Sequence, residues 1–119
     1  MNPAVHKFGG AALANARAIR HAVNIVTNGQ RRGVVVVASA MGGVTDALLE
    51  ICTLAKQRDR ARVEKAIATL RERHVEAAND LTSETKTVDA LVAVIERELD
   101  ELARLARRVA AAPKRLTPA

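Results

Sequence analysis

The stretch HKFGGAALANA, residues 6–16, decides how this chain is read. Residues 4–8, AVHKF, have the length and apolar content of a short strand and run straight into two glycines. Beyond them Leu13, Ala16, Ile19, Val23 and Val26 recur at steps of three and four, which is one face of a helix. Strand, glycine turn and helix in that order put Lys7 near the carboxyl end of the strand, just ahead of Gly9-Gly10.

The same order then repeats. Asn28-Gly29 closes the helix with a pair that tolerates left-handed backbone. After Gly33, the run VVVVA at residues 34–38 is β-branched with no polar alternation, which predicts a strand buried on both faces. Ser39 to Gly43 form a second small-residue turn. Thr45-Asp46 open another helix, with Val44, Leu48, Ile51, Cys52 and Ala55 as its apolar stripe. Two such units in succession imply a right-handed crossover and parallel strands. Both turns then lie at one edge of the sheet, the edge where open α/β sheets bind ligands.

The second half carries no strand signal. Val63, Ile67, Leu70, Ala77 and Leu81 mark one long helix, and Val88, Leu91, Ile95, Leu99, Leu102 and Val109 mark another. Thr82-Ser83-Glu84-Thr85 breaks the two with residues suited to capping. A short loop between amphipathic helices predicts an antiparallel hairpin. The expected class is α/β: a short parallel sheet with flanking helices, plus a long helical hairpin. Residues 1–57 form the βαβα half, residues 58–112 the hairpin, and residues 113–119, which include Pro113 and Pro118, a loose tail.

Composition narrows the function. Hydrophobic residues make up 49% of the 119, enough for a core, but aromatic residues are 1%, Phe8 alone. The core is therefore aliphatic. No run of about 18 apolar residues exists, so no membrane span is expected. The amino terminus lacks a basic-then-apolar leader pattern, which points to the cytoplasm. Cys52 is the sole cysteine, which excludes an internal disulfide, and its place on an apolar stripe predicts a core thiol rather than a nucleophile. The formal net charge is +6. Its basic residues alternate with acids, as in Arg58-Asp59-Arg60 and Glu72-Arg73, and read as solvated helix faces. Denser clusters occur at Gln30-Arg31-Arg32 and from Arg104 to Arg108, with no aromatic residue between them to stack on bases. A nucleic-acid binder thus rests on net charge alone.

Two readings of the glycine turns stay open on physical grounds. Glycine admits positive φ and lets a ligand approach the main chain, and amides at a helix start favour an anion. Lys7 would add a full positive charge, making Lys7, Gly9 and Gly10 an anion cradle. The other reading is a tight turn beside a surface lysine. Neither G-x-x-x-x-G-K-[ST] nor G-x-G-x-x-G is present. Ser39 and Thr45 in the second turn are either site hydroxyls or satisfiers of local backbone groups.

The residues themselves carry a resemblance. VHKFGGAALANARAIRHAVNIV resembles the opening of aspartate kinases, in which a strand ends in K-F-G-G-T-S and leads into a helix. VVVVASAMGGVTDALLEI is similar to their next strand and turn, V-V-V-S-A-M-x-G-V-T-[DN]-x-L-L. LRERHVEAANDL, residues 70–81, resembles their helical insertion, which often carries an R-H pair, and RLTPA resembles the L-T-P-R segment that follows.

The resemblance implies the amino-acid kinase fold, of which this chain would hold the front part. It implies ATP with Mg²⁺ as cofactor and aspartate as substrate, the side-chain carboxylate being phosphorylated on the way to lysine, threonine and methionine. Carried over by residue, Lys7 would neutralise the transferring phosphoryl group, and Gly9 and Gly10 would present amides to the phosphates. Ser39 and Thr45 would lie near aspartate. His74, on an apolar stripe, reads as a packing histidine. Two departures stand out: Ala11-Ala12 replace the family's T-S pair, and the later S-x-G-E segment with most of the nucleotide pocket has no counterpart. The isolated chain is thus expected to be an inactive fragment. Its valine strand, lacking partners, invites self-association or pairing with the missing kinase half. The alternative is a non-catalytic interaction module that pairs with a complete kinase subunit.

Overall fold

The computed structural model describes residues 4–29 and 33–113. The Gln30-Arg31-Arg32 cluster, the RLTPA segment and all of the predicted tail beyond Pro113 lie outside the described residues.

Strand β1, Val5–Phe8, is followed by a single 3-10 turn at Ala11–Leu13 and helix α1, Ala16–Asn28. Strand β2, Val35–Ala38, leads to α2, Val44–Lys56, then α3, Arg60–Leu81, and α4, Thr85–Ala111. β1 and β2 pair in parallel, with Val5 opposite Val35 and Phe8 opposite Ala38. The α/β class and the element order match the expectation.

Local chemistry sets most element ends. The Asn15 side chain accepts the Ala18 N–H at 2.9 Å and starts α1, while Asp59 accepts the Arg62 N–H at 3.2 Å and starts α3. Gly43 lies at φ +84°, so α2 opens at Val44, one residue before the expected Thr45. Between α2 and α3 the Arg58 N–H donates to the Ala55 carbonyl and the Asp59 N–H to the Leu54 carbonyl, both at 3.0 Å. That paired closure calls for a left-handed residue, usually glycine, and Arg58 occupies it at φ 60°. α1 ends at Asn28 as read from the sequence, and Gly29 caps it at φ −69° without using left-handed backbone. Before α4, the Thr82 hydroxyl accepts the Glu84 N–H at 3.1 Å within the predicted break.

The core lies away from the sheet. Val44, Ile51 and Leu54 of α2 pack against Val63, Ile67 and Leu70 of α3 and Leu99 and Ala106 of α4. Ile51 is only 1% exposed. The hairpin is antiparallel, and Arg71 of α3 reaches Glu96 of α4 at 3.0 Å and Asp100 at 3.8 Å. Such exposed pairs contribute about 0.5 kcal/mol each, so the aliphatic interface carries the stability.

Burial corrects several sequence readings. The valine strand is not covered on both faces: Val35, Val36 and Val37 are 46%, 49% and 48% exposed. Val5, on the same side of the sheet as Val35 and Val37, is more exposed still. Cys52 is an exposed thiol rather than a core one. The face of α2 turned to the hairpin is Val44-Ile51-Leu54-Ala55, which rotates Leu48 and Cys52 outward. On α3 Ala78 is buried while Ala77 and Leu81 are half-buried, and on α4 Leu91 and Val109 are exposed. Leu13 belongs to the 3-10 turn and not to α1.

Candidate functional site

The site is assembled where the two strands end. Because strand side chains alternate, His6 and Phe8 leave one face of β1 and Val5 and Lys7 the other. The His6 and Phe8 rings stack at 6.2 Å between centroids, and Phe8 joins Leu13, Ile19, Val26 and Val36 along an apolar groove between the sheet and α1. Lys7 is thus directed away from α1, in register with Val37, and is exposed.

Ser39 follows β2 directly beside the exit of β1, its N–H donating to the Phe8 carbonyl at 3.0 Å. Lys7, the first glycine pair and Ser39 therefore share one edge of the sheet. The Ser39 hydroxyl donates to the Ala40 carbonyl at 2.6 Å, so it also satisfies a local backbone group. Thr45 is exposed on the first turn of α2. Asp46 on the same turn complements the helix dipole, which weakens any pull that this helix start would exert on an anion.

The four glycines of the turns serve different ends. A Cβ on Gly10 would stand 3.2 Å from the Gly42 Cα, and one on Gly42 would stand 3.1 Å from the Gly10 carbonyl oxygen. The two turns thus touch backbone to backbone, and a side chain at either position would force its neighbour to give by a few tenths of an ångström. Gly10 has φ −59°, so close approach rather than positive φ explains it. A Cβ on Gly9 would meet nothing within 4 Å, so the space on that side of its main chain is open. Gly43 is the position that requires glycine for its left-handed backbone.

Ala11 and Ala12 extend the first turn as exposed methyl groups. His74 is half-buried on α3 and its Nδ1–H donates to the Leu70 carbonyl at 2.7 Å, in keeping with a packing role. One residue escaped the sequence reading. Arg73 reaches from α3 to donate from Nη2 to the Ala14 carbonyl at 2.9 Å, just past the first turn. Helical periodicity assigns such an arginine to a solvated face. The signal in the sequence is the R-H pair, Arg73-His74, of the segment that resembles the kinases' helical insertion. Among the described residues no group of three or more His, Cys, Asp or Glu side chains is gathered that could hold a metal ion.

Residues 2–113 match the amino acid kinase family, and the chain belongs to it. Its two-stranded parallel sheet with flanking helices is consistent with part of that fold. The chain is similar to an aspartokinase of Chlamydia trachomatis, 42% identical over 79 residues, which are 66% of this chain and 17% of that protein. It is also similar to the chloroplastic bifunctional aspartokinase/homoserine dehydrogenase 2 of Arabidopsis thaliana, 35% identical over 77 residues, covering 65% of this chain and 8% of that one. A chloroplastic counterpart in Daucus carota is 35% identical over 80 residues, 67% of this chain and 9% of that protein. The matches thus span under a fifth of the length of these curated relatives. Among the described residues no helix is long and apolar enough to cross a membrane.

Proposed function

We propose that this chain provides the phosphate-facing and part of the substrate-facing surface of an aspartate kinase site. In the reaction a carboxylate oxygen of the aspartate side chain forms a bond to the γ-phosphorus of ATP. The bond to the bridging oxygen breaks and ADP leaves, giving aspartyl phosphate, a precursor of lysine, threonine and methionine. Bound ATP with Mg²⁺ would supply the electrophilic phosphoryl group.

The residues act by position and charge. Lys7 offsets negative charge on the transferring group, as phosphoryl transfer requires. The open space around Gly9 admits phosphate oxygens to the main chain, and Gly10 supports that edge by packing on Gly42. Ser39 and Thr45 face the aspartate. Ala11-Ala12 lack the two hydroxyls of the T-S pair that the resemblance leads one to expect, which weakens the hold on substrate or phosphate. The observation that carries this reading is the contact of the two glycine turns at one sheet edge beside Lys7 and Ser39. Isolated, the chain binds nucleotide with little or no turnover.

Calorimetric titration with Mg²⁺-ATP tests it. Wild type should bind, and Lys7→Ala should bind about tenfold more weakly, the effect of one charge-assisted contact. Absent binding, or equal binding by both, removes Lys7 from the site. A second reading, a non-catalytic module that pairs with a complete kinase subunit, is favoured by the bare sheet face with Val5 64% exposed. Co-purification of the two chains would support it, and a monomer that ignores such a subunit would count against it.

A further inference from the structure

The hairpin and the glycine turns meet at one side chain. Arg73 sits half-buried midway along α3, with its guanidinium at the turns. Nη2 donates to the Ala14 carbonyl, 2.9 Å away, where the first turn passes into α1. Nη1 stands 3.7 Å from the position a Cβ on Gly43 would take, against the second turn. A planar guanidinium with donors on both arms can hold two backbone segments in a fixed relation, which a point-like ammonium cannot. Ala14, Asn15, Met41 and Glu76 line the same small cleft.

We infer that Arg73 is a positioning residue for the glycine-turn site, bracing both turns from the hairpin so that their main-chain groups stay in register. For its bearing on nucleotide the inference rests on the function proposed above; the brace itself does not. The closest approaches between Gly10 and Gly42 are main chain to main chain, with the Ala14 methyl 3.8 Å from the place of a Gly42 Cβ. β1 and β2 form an exposed two-stranded sheet, which by itself is only marginally stable. α3 is a well-packed element within reach of both turns, and Arg73 is a side chain of it that reaches them. The hairpin thereby acts on the site without contributing a group that touches substrate.

Amide hydrogen exchange on the full chain tests the brace, comparing wild type with Arg73→Met, which keeps the apolar stem, and Arg73→Lys, which keeps the charge. The reporters are the Leu13 N–H, bonded to the Gly10 carbonyl, and the Val44 N–H, bonded to the Met41 carbonyl. In Arg73→Met both should exchange about tenfold faster, the loss of one charge-assisted bond, while the Ile51 and Leu70 amides keep their rates. Arg73→Lys should restore Leu13 in part and leave Val44 fast. Unchanged exchange at both reporters overturns the inference, and so does a uniform rise that includes Ile51 and Leu70, which signals general destabilisation. A Mg²⁺-ATP titration of the same proteins separates the two claims. If the local exchange pattern holds and wild type binds no nucleotide, the brace stands and the phosphotransfer reading falls. If wild type binds and Arg73→Met binds about tenfold more weakly, both stand.

Discussion

The α2–α4 assembly and the sheet with α1 are built from the same aliphatic residues, yet they end in opposite states. In the first, Ile51, Ile67 and Leu70 are nearly sealed from water. In the second, three consecutive valines of β2 are about half exposed and Val5 more so. A helix completes its own backbone hydrogen bonds and needs only one covered stripe, so three helices close a core among themselves. A strand needs partners at both edges and cover on both faces, and a two-stranded sheet with one neighbouring helix supplies little of either. The lesson is that hydrophobicity states what a segment requires, while topology decides whether the requirement is met.

The largest test of this contrast removes a sealed side chain. Ile51→Ala should cost about 3–4 kcal/mol in urea unfolding, because the helices around it cannot collapse into the gap. A loss under about 1 kcal/mol would mean the three-helix core is loosely packed in solution and would erase the contrast. Next is the seam between the regions. Gly42→Ala pushes a methyl against the Gly10 carbonyl oxygen, and overpacking of this kind should cost about 1–3 kcal/mol. Spectral changes confined to the two turns would place the strain there, whereas a neutral variant would show that the turns do not touch.

Smaller effects sharpen the comparison. Arg58→Gly relieves a left-handed arginine but gives up its hydrogen bond to the Ala112 carbonyl at 3.2 Å. Left-handed backbone costs a non-glycine residue about 1 kcal/mol, and an exposed bond returns less, so the unfolding free energy from urea titration should rise by about 0.5 kcal/mol. A fall instead would show that the Arg58 clasp across the hairpin end outweighs the strain. The smallest change is expected for Val37→Thr, within about 0.5 kcal/mol, with less self-association by analytical ultracentrifugation. A loss as large as that of Ile51→Ala would reveal that the valine face is covered in solution.

How much was legible follows from where each signal is encoded. The strand-turn-helix order at residues 4–29, the break at Thr82 to Glu84 and the parallel pairing all follow from local periodicity and turn chemistry. The positions of Lys7 and Ser39 at a common edge follow from that topology. Which face of α2 is buried did not, because Leu48, Ile51, Cys52 and Leu54 offer two plausible apolar stripes, and the neighbouring helices choose between them. That choice put Cys52 in solvent. Glycine roles were equally hidden, since Gly9 and Gly10 read alike in one dimension.

The sequence alone determined the elements, their order and the edge where the glycine turns gather, because helix and turn preferences act over a few neighbouring residues and a strand-helix-strand crossover has one favoured hand. Only the tertiary structure decided that Gly10 meets Gly42, that Arg73 spans the gap to both turns and that the valines stay uncovered. Each of these depends on segments far apart in the chain, and no local pattern carries the distance between them.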